Sequence, residues 1–234
     1  MNNYILASTF YLLATMAGAQ TSDSAAAAGS VGRVRPLRAT VAQLQLRGTV
    51  PVMFAMLVTE FGMSGGVAAA HQDCSHGPEG LIIIPAGSSL DTALGQIAKS
   101  NAAFEWQSRD GVADLLPAGV APALLQVRIG RFDWDETTPV RETISRLRQL
   151  PEVSGEASRL GLKEAPIEGG MSAICIAGDC RQKPTPGPKL ETEEGATLLT
   201  LLNRIVQAHS GSVWSYAEYQ CGKDTLFSLE VLAE

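Results

Sequence analysis

The chain has 234 residues, of which 45% are hydrophobic and 18% are charged. This balance is ordinary for a folded globular protein and excludes disorder along the whole chain. The net charge of −6 at pH 7 leaves no excess of cationic side chains to neutralise phosphates, so we expect no nucleic-acid partner.

Residues 1–19 have the pattern of a secretory signal peptide. An apolar run from Tyr4 to Thr15 is followed by Ala17-Gly18-Ala19, an A-x-A pattern that predicts cleavage before Gln20. The run is shorter than the roughly 18 apolar residues that usually span a bilayer, and no later segment is a candidate span. Residues 20–38 are rich in Ala, Ser and Gly and predict a flexible leader. We therefore expect a periplasmic or secreted protein with no transmembrane span after cleavage.

The first half of the mature chain, residues 39–119, carries the pattern of a β-α-β unit followed by a β-α-β-β unit. A helix is predicted from Thr49 to Phe61, with Thr49 as its N-cap. The polar stretch His71–Glu79 is expected to form a loop. Three glycines are expected to end the helix: Gly62, Gly65 and Gly66.

A second helix is predicted after Ser88 or Ser89, because either hydroxyl can cap its first turn. Further along, Asp110-Gly111 is a strong signal for the two-residue turn of a hairpin. The predicted strands of this half are 39–46, 67–70, 80–84, 104–106 and 112–116.

The second half, residues 121–234, begins with alternating apolar residues over Leu124–Trp134, which predict one half-buried strand. A helix is predicted over 139–150, with Thr137 or Thr138 as its N-cap. Prolines and glycines over 151–188 predict a long excursion, interrupted by a helical turn at 160–162 and a strand at 171–176. A last β-α-β-β unit is predicted from Leu190 onward, with its hairpin turn near 222–224.

The strongest feature of the sequence is an internal repeat. Residues 87–106 recur at 195–214 with a constant offset of 108 and no gap. In both copies the apolar residues follow the i, i+3, i+4, i+7 spacing of one helix face. The repeated positions pair Leu90 with Leu198, Leu94 with Leu202, Ile97 with Ile205 and Trp106 with Trp214. The preceding helix recurs less clearly: an offset of 90 pairs Val50 with Val140, and a competing offset pairs Pro51 with Pro139.

These patterns predict an α+β fold of two tandem small αβ modules, 39–119 and 121–234. Their helices are expected to pack on short mixed or antiparallel sheets. The alternative is that the two halves form one pseudo-symmetric domain.

A helix with the pattern Gly-x-Ser/Thr-Leu-x3-Leu-x2-Ile, followed by an aromatic hairpin, occurs in each half. The segments are 84–97 with 104–116, and 194–205 with 213–232. They resemble the secretin and TonB short N-terminal (STN) domain, a small αβ module at the periplasmic end of outer-membrane secretins and signalling TonB-dependent receptors. The resemblance implies a docking surface with no catalytic residue. Its implied partner is another protein of the cell envelope.

Four cysteines in an exported chain favour two disulfides. Cys175 and Cys180 are close enough to clip a short loop, which would leave Cys74 and Cys221 as a long-range bridge. All three pairings of four cysteines stay open on sequence alone.

The segment His71-Gln-Asp-Cys-Ser-His76 is the one cluster with metal-ligating residue types. His71, Cys74 and His76 could supply ligands to zinc or copper. In an oxidising compartment Cys74 is instead expected in a disulfide, with the histidines in an exposed loop. We therefore predict no metal site and no cofactor.

Other motifs with a chemical meaning also have structural explanations. Gly62-Met-Ser-Gly-Gly66 matches G-x-S-x-G, but a nucleophile elbow needs a strand before the serine, and here a helix precedes it. His209 lies where a helix C-terminus favours positive charge, and Glu191, Glu193 and Glu194 lie where an N-terminus favours negative charge. Trp106 and Trp214 are expected to be core or cross-strand residues.

From the sequence we expect no enzyme. We expect a non-catalytic, exported binding or assembly module that engages a protein partner through a strand edge or a helix face. The rival hypothesis is a metal-binding protein or an enzyme that uses the loop of His71–His76.

Overall fold

In the computed structural model, residues 43–74, 80–135, 137–166, 189–191 and 194–233 are described. They form five α-helices, one short 3-10 helix and twelve strands in four sheets, so the predicted α+β class is confirmed. The elements of the first half are β1 (Gln43–Gly48), α1 (Val50–Glu60), β2 (Ser64–Asp73), β3 (Gly80–Pro85), α2 (Leu90–Ser100), β4 (Phe104–Arg109) and β5 (Val112–Pro117). Those of the second half are the 3-10 helix (Ala123–Gln126), β6 (Arg128–Ile129), β7 (Asp133–Asp135), α3 (Val140–Arg148), α4 (Pro151–Arg159), β8 (Leu162–Glu164), β9 (Lys189–Glu191), β10 (Ala196–Thr197), α5 (Leu198–Ala208), β11 (Val213–Cys221) and β12 (Asp224–Ala233).

A six-stranded sheet in the order β4-β5-β2-β11-β12-β8 runs through both halves. The hairpins β4–β5 and β11–β12 are antiparallel. β2 is parallel to β5 on one side and to β11 on the other, and β8 is parallel to β12. The two halves are therefore joined by backbone pairing between β2 and β11.

Each face of this sheet is covered by a separate hydrophobic core. The first core contains α1 and α2, and the second core contains α3, α4 and α5. Successive strand residues alternate between them: Val67 and Val213 enter the first core, whereas Ala68 and Trp214 enter the second. Because the central strands are buried on both faces, their sequences lack the apolar–polar alternation of a half-exposed strand.

The described residues also form three two-stranded sheets. β1 pairs antiparallel with β3, and the helix α1 contacts both β1 and β2 while α2 contacts both β3 and β4. The helices α1 and α2 thus lie between the β1–β3 sheet and the six-stranded sheet. In the second half, β6 pairs with β10 and β7 with β9.

The helices α2 and α5 begin 108 residues apart and are each 11 residues long. Ser89 caps α2 by accepting a hydrogen bond from the Thr92 amide at 3.2 Å. Thr197 caps α5 in the same way, accepting from the Thr200 amide at 3.2 Å. A hydroxyl at the N-cap satisfies one of the orphan amides of the first turn, which explains why both helices start where they do.

The structure corrects the predicted end of the first β-α-β unit. The helix α1 has Thr49 at its N-cap position but without a side-chain cap, and Gly62, at φ 69°, follows its end. Gly65 and Gly66 do not stop the helix but lie inside β2, which also includes His71. A Cβ at Gly66 would overlap the Trp214 indole, so this strand needs glycine to let its neighbour approach.

The single strand predicted over 124–134 is wrong. Leu124 and Leu125 are both 0% exposed, and a helical turn can direct two adjacent side chains into one core, whereas a strand cannot. The predicted caps Thr137 and Thr138 are also wrong: Pro139 is the N-cap of α3, and both threonine amides donate to Asp135 Oδ1 at 2.9 Å.

Regular structure also continues into the predicted excursion. Pro151 occupies the first turn of α4, where its missing amide hydrogen has no helical partner to lose. Val153 and Ala157, four residues apart, face the second core. β8 then begins at Leu162 in place of the predicted helical turn. The predicted strand at 171–176 lies outside the described residues. None of the helices in the described ranges has the length and apolarity needed to cross a bilayer.

Candidate functional site

A chain of three hydrogen-bonded polar side chains, buried at both ends and half-buried at Asn203, crosses the middle of the six-stranded sheet. Trp214 Nε1, on β11, donates to Asn203 Oδ1 at 2.7 Å, and Asn203 Nδ2, on α5, donates to Asp114 Oδ2 at 2.8 Å. Gly66 on β2 lies between them, paired in register with both Asp114 and Trp214. The chain therefore connects the hairpins of the two halves beneath α5.

Asp114 is a carboxyl group in an apolar environment. It is 2% exposed, and this burial raises its pKa from the ordinary 3.8 to about 6. The hydrogen bond from Asn203 and the charge of Arg109 partly oppose the rise. Such a group can change protonation near neutral pH, but burial leaves it no surface on which to meet a substrate.

A second buried polar pair lies on the same face of β11. The Tyr216 hydroxyl donates to Glu218 Oε1 at 2.6 Å, and both residues are buried. Burial, and after it the hydrogen bond to Glu218, raises the pKa of Tyr216. The tyrosine is therefore a neutral hydrogen-bond donor, and the pair is satisfied internally.

Ser64, the serine of the G-x-S-x-G match, is buried at the start of β2. Its hydroxyl donates to the Val206 carbonyl at 2.6 Å and accepts from the Gly211 amide at 3.2 Å. These bonds tie β2 to the end of α5. The strand–serine–helix order of a nucleophile elbow does not occur here, since α1 precedes the serine and β2 contains it.

The metal-ligand candidates are divided by the fold. His71 lies in β2, Cys74 follows the strand, and His76 is outside the described residues. Cys74 forms a disulfide with Cys221, with their Cα atoms 5.2 Å apart. A disulfide sulfur is not a thiolate ligand. Within the described ranges, no group of three or more His, Cys, Asp or Glu side chains could hold a metal ion.

The disulfide fixes the junction between the two halves, because Cys74 and Cys221 follow the paired residues Asp73 and Gln220 at the ends of β2 and β11. Cys175 and Cys180, the predicted short clip, lie outside the described residues.

The other candidates lie in separate parts of the fold. His209 is the C-cap of α5, and its ring stacks on Trp134 with centroids 6.0 Å apart. Glu191 lies in β9 and Glu194 is exposed, while Glu193 is outside the described residues. Trp106 is half-buried against the first core.

An aliphatic surface that the sequence did not predict lies on β3. Leu81 and Ile83 are 59% and 48% exposed, whereas Ile84 is fully buried. We call Leu81 and Ile83 the β3 strip. Opposite them on β1 are Arg47 and Gln45, and within the described residues β3 pairs with no other strand. The aliphatic run from Leu81 to Ile84 is typical of a buried strand, but within the described residues no second layer covers this face of the two-stranded sheet.

The β3 strip is a small exposed apolar surface beside a strand edge that pairs with no other strand of the described residues. No family model matches the chain, and no curated protein or solved structure matches it either.

Proposed function

We propose that this chain is an exported, non-catalytic binding module of the cell envelope that docks a protein partner through the β3 strip. The observation that carries this proposal is the exposure of Leu81 and Ile83, 59% and 48%, on a six-residue strand without a charged side chain. Covering the exposed parts of both side chains would contribute about 2 kcal/mol to binding. The open edge of β3 offers backbone hydrogen bonds to an added strand of the partner.

The non-catalytic role is supported by how the reactive side chains are used. The Ser64 hydroxyl, the Cys74 sulfur and the Asp114 carboxylate each hold two parts of the fold together. A nucleophile or general base must reach a substrate proton or carbon, so groups engaged in this way are poorly suited to catalysis.

Export to the periplasm or beyond is supported by two features. The signal-peptide pattern ends in an A-x-A site before Gln20. The Cys74–Cys221 disulfide has an exposed cysteine, and a bridge accessible to cytosolic reductants persists only in an oxidising compartment.

We also infer that the two halves are copies of one module that resembles the STN domain. The identical lengths and hydroxyl caps of α2 and α5 support this. The tryptophans support it as well, because each lies beside the equivalent position of its helix. Trp214 Nε1 donates to Asn203, and Trp106 Nε1 lies 4.0 Å from an ideal Cβ at Gly95, which is the position equivalent to Asn203 at the offset of 108. Each half also has a strand parallel to the last strand of its hairpin: β2 is parallel to β5 in the first half, and β8 is parallel to β12 in the second. In this arrangement the copies share one sheet.

Site-specific photo-crosslinking in the intact envelope tests the docking proposal. A benzophenone side chain at Ile83 is expected to capture one dominant protein, whereas the same group at Val120 is not. Val120 is the matched control because it is 82% exposed but lies in a loop outside the β1–β3 sheet. Equal capture from both positions, or capture from neither, would show that the β3 strip is not the docking surface.

A further inference from the structure

The six-stranded sheet has an open edge at β4. β4 pairs with β5 on one side, and within the described residues no strand lies on its other side. It is six residues long, whereas β8, at the opposite end of the sheet, has three. An edge strand of this length presents unpaired backbone groups that favour pairing with another strand.

The two faces of β4 carry different side chains. Glu105, Gln107 and Arg109 are exposed on the face of the second core, opposite residues of β5 that point to that core. Phe104 and Trp106 are half-buried on the face of the first core. Glu105 and Arg109 are thus opposite charges on one face of the strand, with Gln107 midway between them.

The hairpin turn determines which backbone groups of β4 point outward. Asp110 and Gly111 have φ angles of 53° and 80°, as in a two-residue turn of type I′. The residues flanking such a turn form a hydrogen-bonded pair, so the backbone groups of Arg109 point towards β5. Because this direction alternates along the strand, the groups that point to the open edge belong to Phe104, Trp106 and Ser108. The Phe104 amide already donates to the Asn101 carbonyl at 3.1 Å, which leaves Trp106 and Ser108 with both backbone groups directed outward.

We propose that two copies of this chain associate by antiparallel pairing of β4 with β4 of the second copy, centred on Gln107. In this register Trp106 lies opposite Ser108 of the second copy, so their outward backbone groups can bond. Glu105 lies opposite Arg109 of the second copy, and two-fold symmetry forms this pair twice. The two Trp106 rings become diagonal neighbours on the other face, within reach of each other.

Other registers lack this complementarity. Centring the pair on Glu105 or on Arg109 places like charges opposite each other, which is unfavourable. Centring it on Trp106 or Ser108 leaves Glu105 opposite an uncharged residue. In the single chain, Glu105 accepts a solvent-exposed hydrogen bond from the Gly119 amide at 3.3 Å. Because this bond is exposed, Glu105 can replace it with a bond to Arg109 of the second copy.

Sedimentation equilibrium of the mature, oxidised protein tests the proposal, and the wild type is expected to show a monomer–dimer equilibrium. Glu105→Arg and Arg109→Glu each create two like-charge pairs and are expected to raise the dissociation constant about tenfold. The double variant Glu105→Arg/Arg109→Glu restores opposite charges in the same register and is expected to return to the wild-type value. Arg141→Glu, at an exposed position of α3, changes the net charge as much as Arg109→Glu and is expected to have no effect.

Tryptophan emission gives a second measurement of the same equilibrium. Trp134 and Trp214 are 3% and 0% exposed, so a change on dilution reports mainly on Trp106. A wild type that stays monomeric at its highest soluble concentration would overturn the proposal. A double variant that dimerises as weakly as the single variants would overturn the register. Neither outcome bears on the β3 strip.

Discussion

Replacing Asp114 with asparagine tests the buried polar chain most sharply. Asparagine keeps the size of the side chain and an oxygen that can accept from Asn203 Nδ2, but it removes the titrating carboxyl group. Burial raises the pKa of Asp114 from 3.8 to about 6 in the folded protein. Each pKa unit corresponds to about 1.4 kcal/mol, so this difference in pKa between the unfolded and folded states corresponds to about 3 kcal/mol of folding free energy.

The sign follows from proton binding. Between about pH 4 and pH 6 the folded state holds the Asp114 proton and the unfolded chain has released it. Stability falls with rising pH wherever the folded state binds more protons, so this group lowers the free energy of unfolding as the pH rises through that window. The contribution is absent below about pH 4 and complete above about pH 6.

Urea unfolding of the oxidised protein over pH 4 to 8, followed by circular dichroism, provides the measurement. The free energy of unfolding of Asp114→Asn minus that of the wild type is expected to increase by about 3 kcal/mol from pH 4 to pH 8. Asp224→Asn is the control, because that carboxylate is 52% exposed and lies outside the buried chain. If the difference between Asp114→Asn and the wild type is the same at every pH, the assignment of a buried, neutral-pH carboxyl group is refuted.

Two further predictions concern the junction of the halves. Gly66→Ala would drive a Cβ into the fully buried Trp214 indole and is expected to lower the free energy of unfolding by about 3 kcal/mol. The control is Gly155→Ala in α4, where a Cβ meets nothing within 4 Å. This variant is expected to raise the free energy of unfolding by up to about 1 kcal/mol. Equal urea midpoints for these two alanine variants would contradict the packing. Replacing both Cys74 and Cys221 with alanine opens a link across 147 residues and is expected to lower the free energy of unfolding by up to about 5 kcal/mol. A change below about 1 kcal/mol in the same denaturation assay would show that the bridge does not stabilise the junction.

The sequence predicts best the elements that are determined by residues close together in the chain. The helices α2 and α5 combine an apolar face with a hydroxyl N-cap, and the turn at Asp110-Gly111 needs only two residues. By contrast, the full length of β2 depends on its neighbours. Its Gly65-Gly66 pair has a typical helix-stop composition. A Cβ at Gly66 would meet the Trp214 indole and one at Gly65 the Ala113 carbonyl, so neighbours distant in sequence explain why both glycines lie inside a strand.

The same distinction holds for the candidate site. A lone aspartate in Val112–Pro117 gives a weak signal, since its partner Asn203 is 89 positions away in the chain. The signal that could have indicated it is a polar residue inside an otherwise apolar strand after a strong hairpin turn. The sequence does not predict the β3 strip, because the aliphatic composition of β3 indicates burial, whereas among the described strands β3 pairs only with β1 and one face stays exposed.

The most direct test of the docking proposal is the affinity of the purified crosslinked partner for the wild type and for Leu81→Ser/Ile83→Ser. Because the exposed parts of both side chains contribute about 2 kcal/mol, the double variant is expected to bind about 30-fold more weakly, while Val120→Ser binds like the wild type. All three proteins must give the same thermal unfolding midpoint for the comparison to report on binding. An unchanged dissociation constant for the double variant would show that the partner docks elsewhere.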